Sequence, residues 1–169
     1  MNEDKIYQRI GEFVVCFQFL EDQIRQIGWL LLDPGRKVWP PEALRNLTSE
    51  ALAEKVVKLY DEKLHLCRLP DEQERLVQFA ELISKFHDLR RFRNRVLHSA
   101  YVEIKGSGEV LSLMRSDAKL MSNPNTRDKS MSQEILTETS FNSEMLQMGE
   151  LAFNLGQHYL QLIARLPTG

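Results

Sequence analysis

The chain has 169 residues, 43% of them hydrophobic and 27% charged, with a formal net charge of −2 at pH 7. A chain of this length can bury a core without disulfides or a structural metal, and its composition is neither collagen-like nor that of a disordered protein. The slightly negative charge excludes a protein that coats nucleic acid nonspecifically, because such binding draws on many cationic contacts to phosphate. Any contact with nucleic acid is therefore expected to be local.

The start of the chain and its cysteines favour a cytoplasmic location. The first residues are polar and acidic and lack the basic start and apolar run of a signal peptide. No apolar stretch approaches the roughly 20 residues that span a bilayer, so no membrane partner is expected. Cys16 and Cys67 lie in apolar helical patterns without a second ligand at metal spacing, which predicts free thiols in a reducing compartment.

The first predicted element is one long amphipathic helix that ends at Asp33-Pro34-Gly35, because Pro and Gly do not continue a helix cheaply. Its apolar positions alternate in steps of four and three, the spacing of one helix face. They are Ile6, Ile10, Phe13, Phe17, Leu20, Ile24, Ile27 and Leu31.

Two further helices are predicted before residue 101. The second begins near Thr48 or Ser49, either of which can cap it, and it ends before Pro70. The third begins at Pro70 and runs to about His98 or Tyr101, since Pro and acidic residues suit a first helical turn. Its apolar row is Leu76, Phe79, Ile83 and Phe86, widened by Leu82 and Leu89.

After Tyr101 the pattern changes to one typical of a short β-hairpin, at about 101–115, around Gly106-Ser107-Gly108. Residues 116–133 are polar and unpatterned, which predicts a mobile loop of unusual length. A fourth helix follows from about Phe141, and Gly149 and Gly156 fall on one side of it. Its predicted apolar row is Met145, Met148, Ala152, Leu155, Tyr159, Leu162 and Leu166.

These elements predict an all-α fold in a single domain, 1–169. Four helices joined by short to moderate connections are most economically packed as an antiparallel four-helix bundle. The short β-hairpin between helices 3 and 4 is expected to project from one end.

The chemistry is expected near the end of the third helix. Continuing its apolar row places Arg93 in a core-facing position, and the apolar pattern resumes at Val96 and Leu97. Burying a guanidinium group without partners costs several kcal/mol, so a merely solvated basic face would not place an arginine there. Asn94, His98 and Tyr101 follow at helical spacing, which predicts one polar edge beside Arg93.

The segment from Arg93 to His98 reads Arg-Asn-Arg-Val-Leu-His. It resembles the signature of the HEPN superfamily, in which Arg, often followed by Asn, precedes His by four to six intervening residues near the end of the third helix of a four-helix bundle. The long first helix and the final amphipathic helix extend the resemblance over most of the chain. Glu21, one residue off the apolar face of the first helix, is similar to an acidic residue found there in related bacterial proteins, and it is expected to pair with Arg93 or to position it.

The resemblance implies an endoribonuclease that uses no metal and no cofactor, in which the ribose 2′-OH attacks the adjacent phosphate and leaves a 2′,3′-cyclic end. Arg93, Asn94 and His98 would be its catalytic residues: a histidine can transfer a proton near neutral pH, and an arginine can hold the phosphate oxygens as charge builds. Asn94 would orient His98 or the phosphate. With one such histidine per chain, a homodimer that brings two motifs together would supply both base and acid. A toxin or antiphage effector is the expected role, with RNA and an antitoxin or regulatory protein as partners.

Two alternatives stay open. HEPN toxins that have a nucleotidyltransferase antitoxin carry a tyrosine two residues after the His, whereas Tyr101 follows His98 by three, which puts that mechanism of silencing in doubt. Arg93 and His98 can also form a structural cluster in a non-catalytic dimeric module that binds nucleotide, RNA or a protein. For Arg90, Arg91 and Arg95, contact with RNA phosphates and a solvated helix face are equally compatible with the sequence.

Overall fold

A computed structural model describes residues 3–37, 41–107, 109–117 and 132–167. The described chain is mostly helical and carries a small three-stranded antiparallel sheet, so the predicted helical character is confirmed. The five helices are α1 (Glu3–Leu32), α2 (Glu42–Arg45), α3 (Ser49–Lys63), α4 (Glu72–His98) and α5 (Asn142–Arg165). The strands are β1 (Ala100–Gly106), β2 (Glu109–Asp117) and β3 (Ser132–Leu136), and a 3₁₀ turn, Leu64–Cys67, follows α3.

The chain divides into two compact units, each built from separate stretches of sequence. The sheet unit comprises Met1–Cys16 and Arg91–Leu146, and the helical unit comprises Phe17–Arg90 and Gln147–Gly169. The prediction of a single domain over 1–169 stays a prediction. Among the described residues, no helix is long and apolar enough to cross a membrane.

Helix α1 confirms the predicted long amphipathic helix, and it begins and ends close to the predicted limits. Every residue of its predicted apolar row is buried except Ile10, which is half-buried. At Gly28 the helix passes so close to its neighbours that a Cβ atom would lie 2.7 Å from Val56 Cγ2 and 3.1 Å from Leu44 Cδ1. Glycine is therefore required there for close packing within the helical unit.

Helix α3 begins where the sequence predicts, because Thr48 accepts a hydrogen bond from the backbone N–H of Ala51 at 3.3 Å. Its buried row packs Tyr60 against Phe79 of α4, with ring centroids 4.0 Å apart. The Tyr60 hydroxyl lies 2.6 Å from His158 Nδ1 on α5. Both side chains are buried, so this pair is a satisfied polar contact within the core of the helical unit.

The sheet unit is held together by one buried sheet face and an aromatic cluster. Strand β2 lies between β1 and β3, and Leu113 on β2 is fully buried opposite the fully buried Leu136 on β3. Phe13 contacts both Phe92 and Phe141, with ring centroids 5.3 and 5.6 Å apart. These aromatic contacts join α1, α4 and the residue before α5 within one unit.

Three predictions about these elements need correction. The predicted hairpin is part of a three-stranded sheet. Both ends of the region predicted as a loop, 116–133, belong to this sheet, because β2 extends to Asp117 and β3 begins at Ser132. The remainder of that predicted loop, 118–131, lies outside the described residues. Of the row predicted for the last helix, Met148, Leu155, Leu162 and Leu166 are buried, but Leu151 and His158 are buried where the sequence pattern predicted Ala152 and Tyr159, so the buried face is shifted towards Leu151 and His158.

Candidate functional site

The predicted catalytic residues lie at the C-terminal end of α4, in the sheet unit. Val96 is fully buried and anchors this end of the helix, whereas Arg93 and Asn94 are half-buried and His98 is exposed. The sequence predicted that Arg93 faces the core, whereas the structure leaves its side chain only half-buried. Leu97 is 47% exposed, so the apolar pattern resumes at Val96 alone.

Tyr101 does not extend the polar edge of the helix, because α4 ends at His98 and Tyr101 belongs to β1. Its hydroxyl instead donates a hydrogen bond to the Val96 carbonyl oxygen at 2.8 Å, and the Ser99 hydroxyl donates to the Arg95 carbonyl at 2.6 Å. The last carbonyl groups of a helix lack partners within the helix, and these two side chains supply them. Tyr101 thus holds the first strand against the end of the motif helix.

Burial keeps the Tyr101 hydroxyl protonated and able to donate. It raises the pKa of Tyr101, while the charge of Arg115 opposes the shift and that of Glu134 adds to it. Arg115 and Tyr101 are directly opposite each other in the β1–β2 register. The hydroxyl is therefore a structural donor at neutral pH.

The ring of Phe92 contacts the guanidinium groups of two arginines. The guanidinium carbon of Arg95 is 5.2 Å from the Phe92 ring centroid, and that of Arg115 is 5.4 Å from it. Both distances are within the range of a cation–π contact. Arg95 remains exposed, whereas the Arg115 side chain is only 11% exposed and pairs with Glu134 at 2.6 Å.

Arg115 is the site residue that the sequence reading missed. Its Nη1 atom is buried and has no hydrogen-bond partner among the described residues. The pairing of Gly106 with Glu109 would, if continued without interruption, place Met114 opposite Tyr101, but a register shift between Ile104 and Lys105 brings Arg115 there instead. A β-bulge of this kind has no clear signature in the sequence of this hairpin.

The three arginines predicted to bind phosphate are in different surroundings. Arg91 and Arg95 are exposed and belong to the same unit as the motif. Arg90 belongs to the helical unit, where it forms a bidentate ion pair with Glu50 at 2.8 and 3.0 Å. A phosphate at Arg90 would have to displace that carboxylate, which makes Arg90 a weak candidate for phosphate binding.

Glu21 also lies in the helical unit. It accepts a hydrogen bond from the Ser49 hydroxyl at 2.6 Å and one from Arg25 at 3.2 Å. These contacts fix the carboxylate at the start of α3. The expected pairing of Glu21 with Arg93 stays a prediction.

The arrangement offers one exposed imidazole, one half-buried guanidinium and one half-buried amide on the last turns of a helix, with two exposed arginines nearby. Those groups can bind a phosphodiester and transfer a proton. Within the described ranges, no group of three or more His, Cys, Asp or Glu side chains is placed to hold a metal ion. The chain matches no protein-family model, no curated protein and no solved structure.

Proposed function

We propose that this chain is a HEPN-type endoribonuclease with a four-helix bundle fold, cleaving RNA by attack of the ribose 2′-OH on the adjacent phosphate. The observation that supports this most directly is the end of α4, where the exposed His98 follows the half-buried Arg93 and Asn94. The imidazole is accessible to a substrate, while the guanidinium is held in a partly covered position.

Each residue has a role that its chemistry suits. His98 takes the proton of the 2′-OH or gives one to the leaving 5′-oxygen, and Arg93 binds the phosphate oxygens as their charge builds. Asn94 lies one helical turn before His98, where an amide can orient the imidazole or the phosphate. Arg91 and Arg95 add exposed positive charge for the RNA backbone.

The reaction uses a base and an acid, and the motif provides one histidine. We therefore propose a homodimer in which two motifs share one site, so that one His98 acts as base and the other as acid. A protein of this kind suits a cytoplasmic toxin or antiphage effector that an antitoxin or regulatory protein restrains.

A second candidate function is a non-catalytic module that binds RNA through the same residues. It is favoured by the structural roles of two neighbours, since Arg95 lies on Phe92 and the Tyr101 hydroxyl caps α4. Under this reading Arg93 and His98 bind phosphate without transferring protons.

Cleavage of RNA in the presence of EDTA separates the two functions. The parent chain should leave 2′,3′-cyclic phosphate ends, and His98→Ala and Arg93→Ala should each lower the rate by about 10² or more. Arg93→Lys keeps the charge but loses the planar fork, and should recover only part of the rate.

The matched control is His65→Ala, which removes an exposed histidine from the helical unit. It should cleave like the parent, and all variants should keep the helical circular-dichroism signal. RNA binding without cleavage would support the second function. Cleavage by His98→Ala at the parent rate would show that the catalytic assignment is wrong.

A further inference from the structure

Helix α5 carries an exposed apolar stripe on the side away from its buried row. Phe153 is 67% exposed, Leu160 58% and Ile163 48%. Gly149 and Gly156 lie on the same side, and the steps of four and three residues from Gly149 to Ile163 are those of the a and d positions of a coiled coil. We call this surface the α5 seam: Gly149, Phe153, Gly156, Leu160 and Ile163.

The two glycines have no packing role within the described chain. A Cβ atom built on Gly149 or Gly156 meets nothing within 4 Å among the described residues. Glycine weakens a helix, so two glycines on an exposed face lower the stability of α5, and no close packing within the described chain compensates for that loss. Small residues in an apolar stripe instead permit the close approach of a second helix.

The seam is complementary to itself when two copies lie antiparallel. With a two-fold axis midway between positions 153 and 156, Phe153 of one copy faces Gly156 of the other, and Leu160 faces Gly149. Each large side chain then enters the space that a glycine leaves. A parallel pair would instead place Phe153 against Phe153 and glycine against glycine.

The charges along the helix agree with this pairing. From Gly149 to Ala164 the only Asp, Glu, Lys or Arg is Glu150, although 27% of the whole chain is charged. In the antiparallel register Glu150 faces Tyr159, so no like charges meet. Depletion of charge at the centre of an exposed apolar surface is typical of protein interfaces.

We propose that the α5 seam binds the α5 seam of a second copy of this chain in the antiparallel register. The three large side chains of the seam expose an apolar area on the order of 350 Å² per copy. That is below the roughly 800 Å² per partner of a standard stable interface, so we expect a weak dimer that forms only at high protein concentration. The seam residues belong to the helical unit and the motif to the sheet unit, so the seam is a separate surface from the one at which two motifs would share a site.

The test is the dissociation constant of the dimer by sedimentation equilibrium with the full chain. Gly156→Leu fills the space that Phe153 of the partner would enter, and it should weaken the dimer by roughly 10- to 100-fold. The variant should fold, because the added side chain meets open space and leucine favours a helix over glycine. Asn154→Leu is the matched control, since it adds the same side chain at an exposed position of α5 outside the seam, and it should leave the dimer intact.

A double variant tests the register itself. Phe153→Ala with Gly156→Leu exchanges the large and small positions, and it should restore a dimer that Gly156→Leu alone has lost. A parent chain that is monomeric at about 100 μM, or a Gly156→Leu chain that self-associates as strongly as the Asn154→Leu control, would overturn the proposal. A double variant that stays monomeric would overturn the antiparallel register.

Discussion

Acidification should destabilise this protein through one buried histidine, His158. Its side chain is 6% exposed, and its Nδ1 atom lies 2.6 Å from the Tyr60 hydroxyl. Burial, with the charge of Arg75 as a smaller contribution, lowers the pKa of His158 from 6.5 to about 4. Burial also raises the pKa of Tyr60, so the hydroxyl stays protonated and shares a hydrogen bond with the neutral ring.

The size of the effect follows from the difference in pKa between the folded and unfolded states. Above pH 6.5 the imidazole is neutral in both states and the free energy of unfolding does not depend on it. Between pH 6.5 and 4 the unfolded chain binds a proton that the folded chain does not, which lowers the free energy of unfolding by up to about 1.4 kcal/mol per pH unit. At pH 4 the accumulated loss is about 3 kcal/mol, a large part of the stability of an ordinary domain.

Urea unfolding followed by circular dichroism between pH 4 and 7.5 measures this loss. His158→Asn removes the titration and keeps an acceptor near the position of Nδ1, so its free energy of unfolding should fall less steeply below pH 6.5 than that of the parent. Tyr60→Phe removes the hydrogen bond but leaves the imidazole buried, so it should keep the steep dependence. Equal slopes for the parent and His158→Asn would refute the assignment of the pH dependence to this histidine.

Three further predictions address the site and the packing. If wild-type and His98→Ala chains are mixed equally and exchange freely, half of the wild-type chains will have an inactive partner, so activity per wild-type chain should drop to about half. Unchanged activity in dimers that do exchange would rule out a shared site. Gly28→Ala should lower the free energy of unfolding by about 1–3 kcal/mol in urea titrations, because its methyl group would meet Val56 at 2.7 Å, and a neutral result would mean that α1 has room to move there. Tyr101→Phe should cost about 1 kcal/mol of stability, through the lost hydrogen bond to the Val96 carbonyl, with little change in RNA cleavage; a hundredfold loss of cleavage would instead give the hydroxyl a chemical role.

The sequence predicted the helices well because their apolar residues repeat at the helical period. The row from Ile6 to Leu31 and the cap at Thr48 were correct because each depends on neighbours within one or two turns. The same local pattern located the segment from Arg93 to His98 at the end of α4.

What the sequence did not predict depends on residues that are distant along the chain. Strand β3 has only two apolar residues, and it forms through backbone pairing with β2, which no local pattern reveals. The place of Arg115 opposite Tyr101 depends on a register shift, and the cap that Tyr101 supplies depends on the path of the chain after His98.

The sequence by itself therefore determined the long helices, their inward faces and the chemical types available at the end of α4, since periodicity and residue type are local properties. Only the tertiary structure decided that His158 of α5 is buried against Tyr60 and that an ion pair occupies Arg90. These outcomes are set by which neighbours fill the space around a side chain, and side-chain packing is a property of the whole fold.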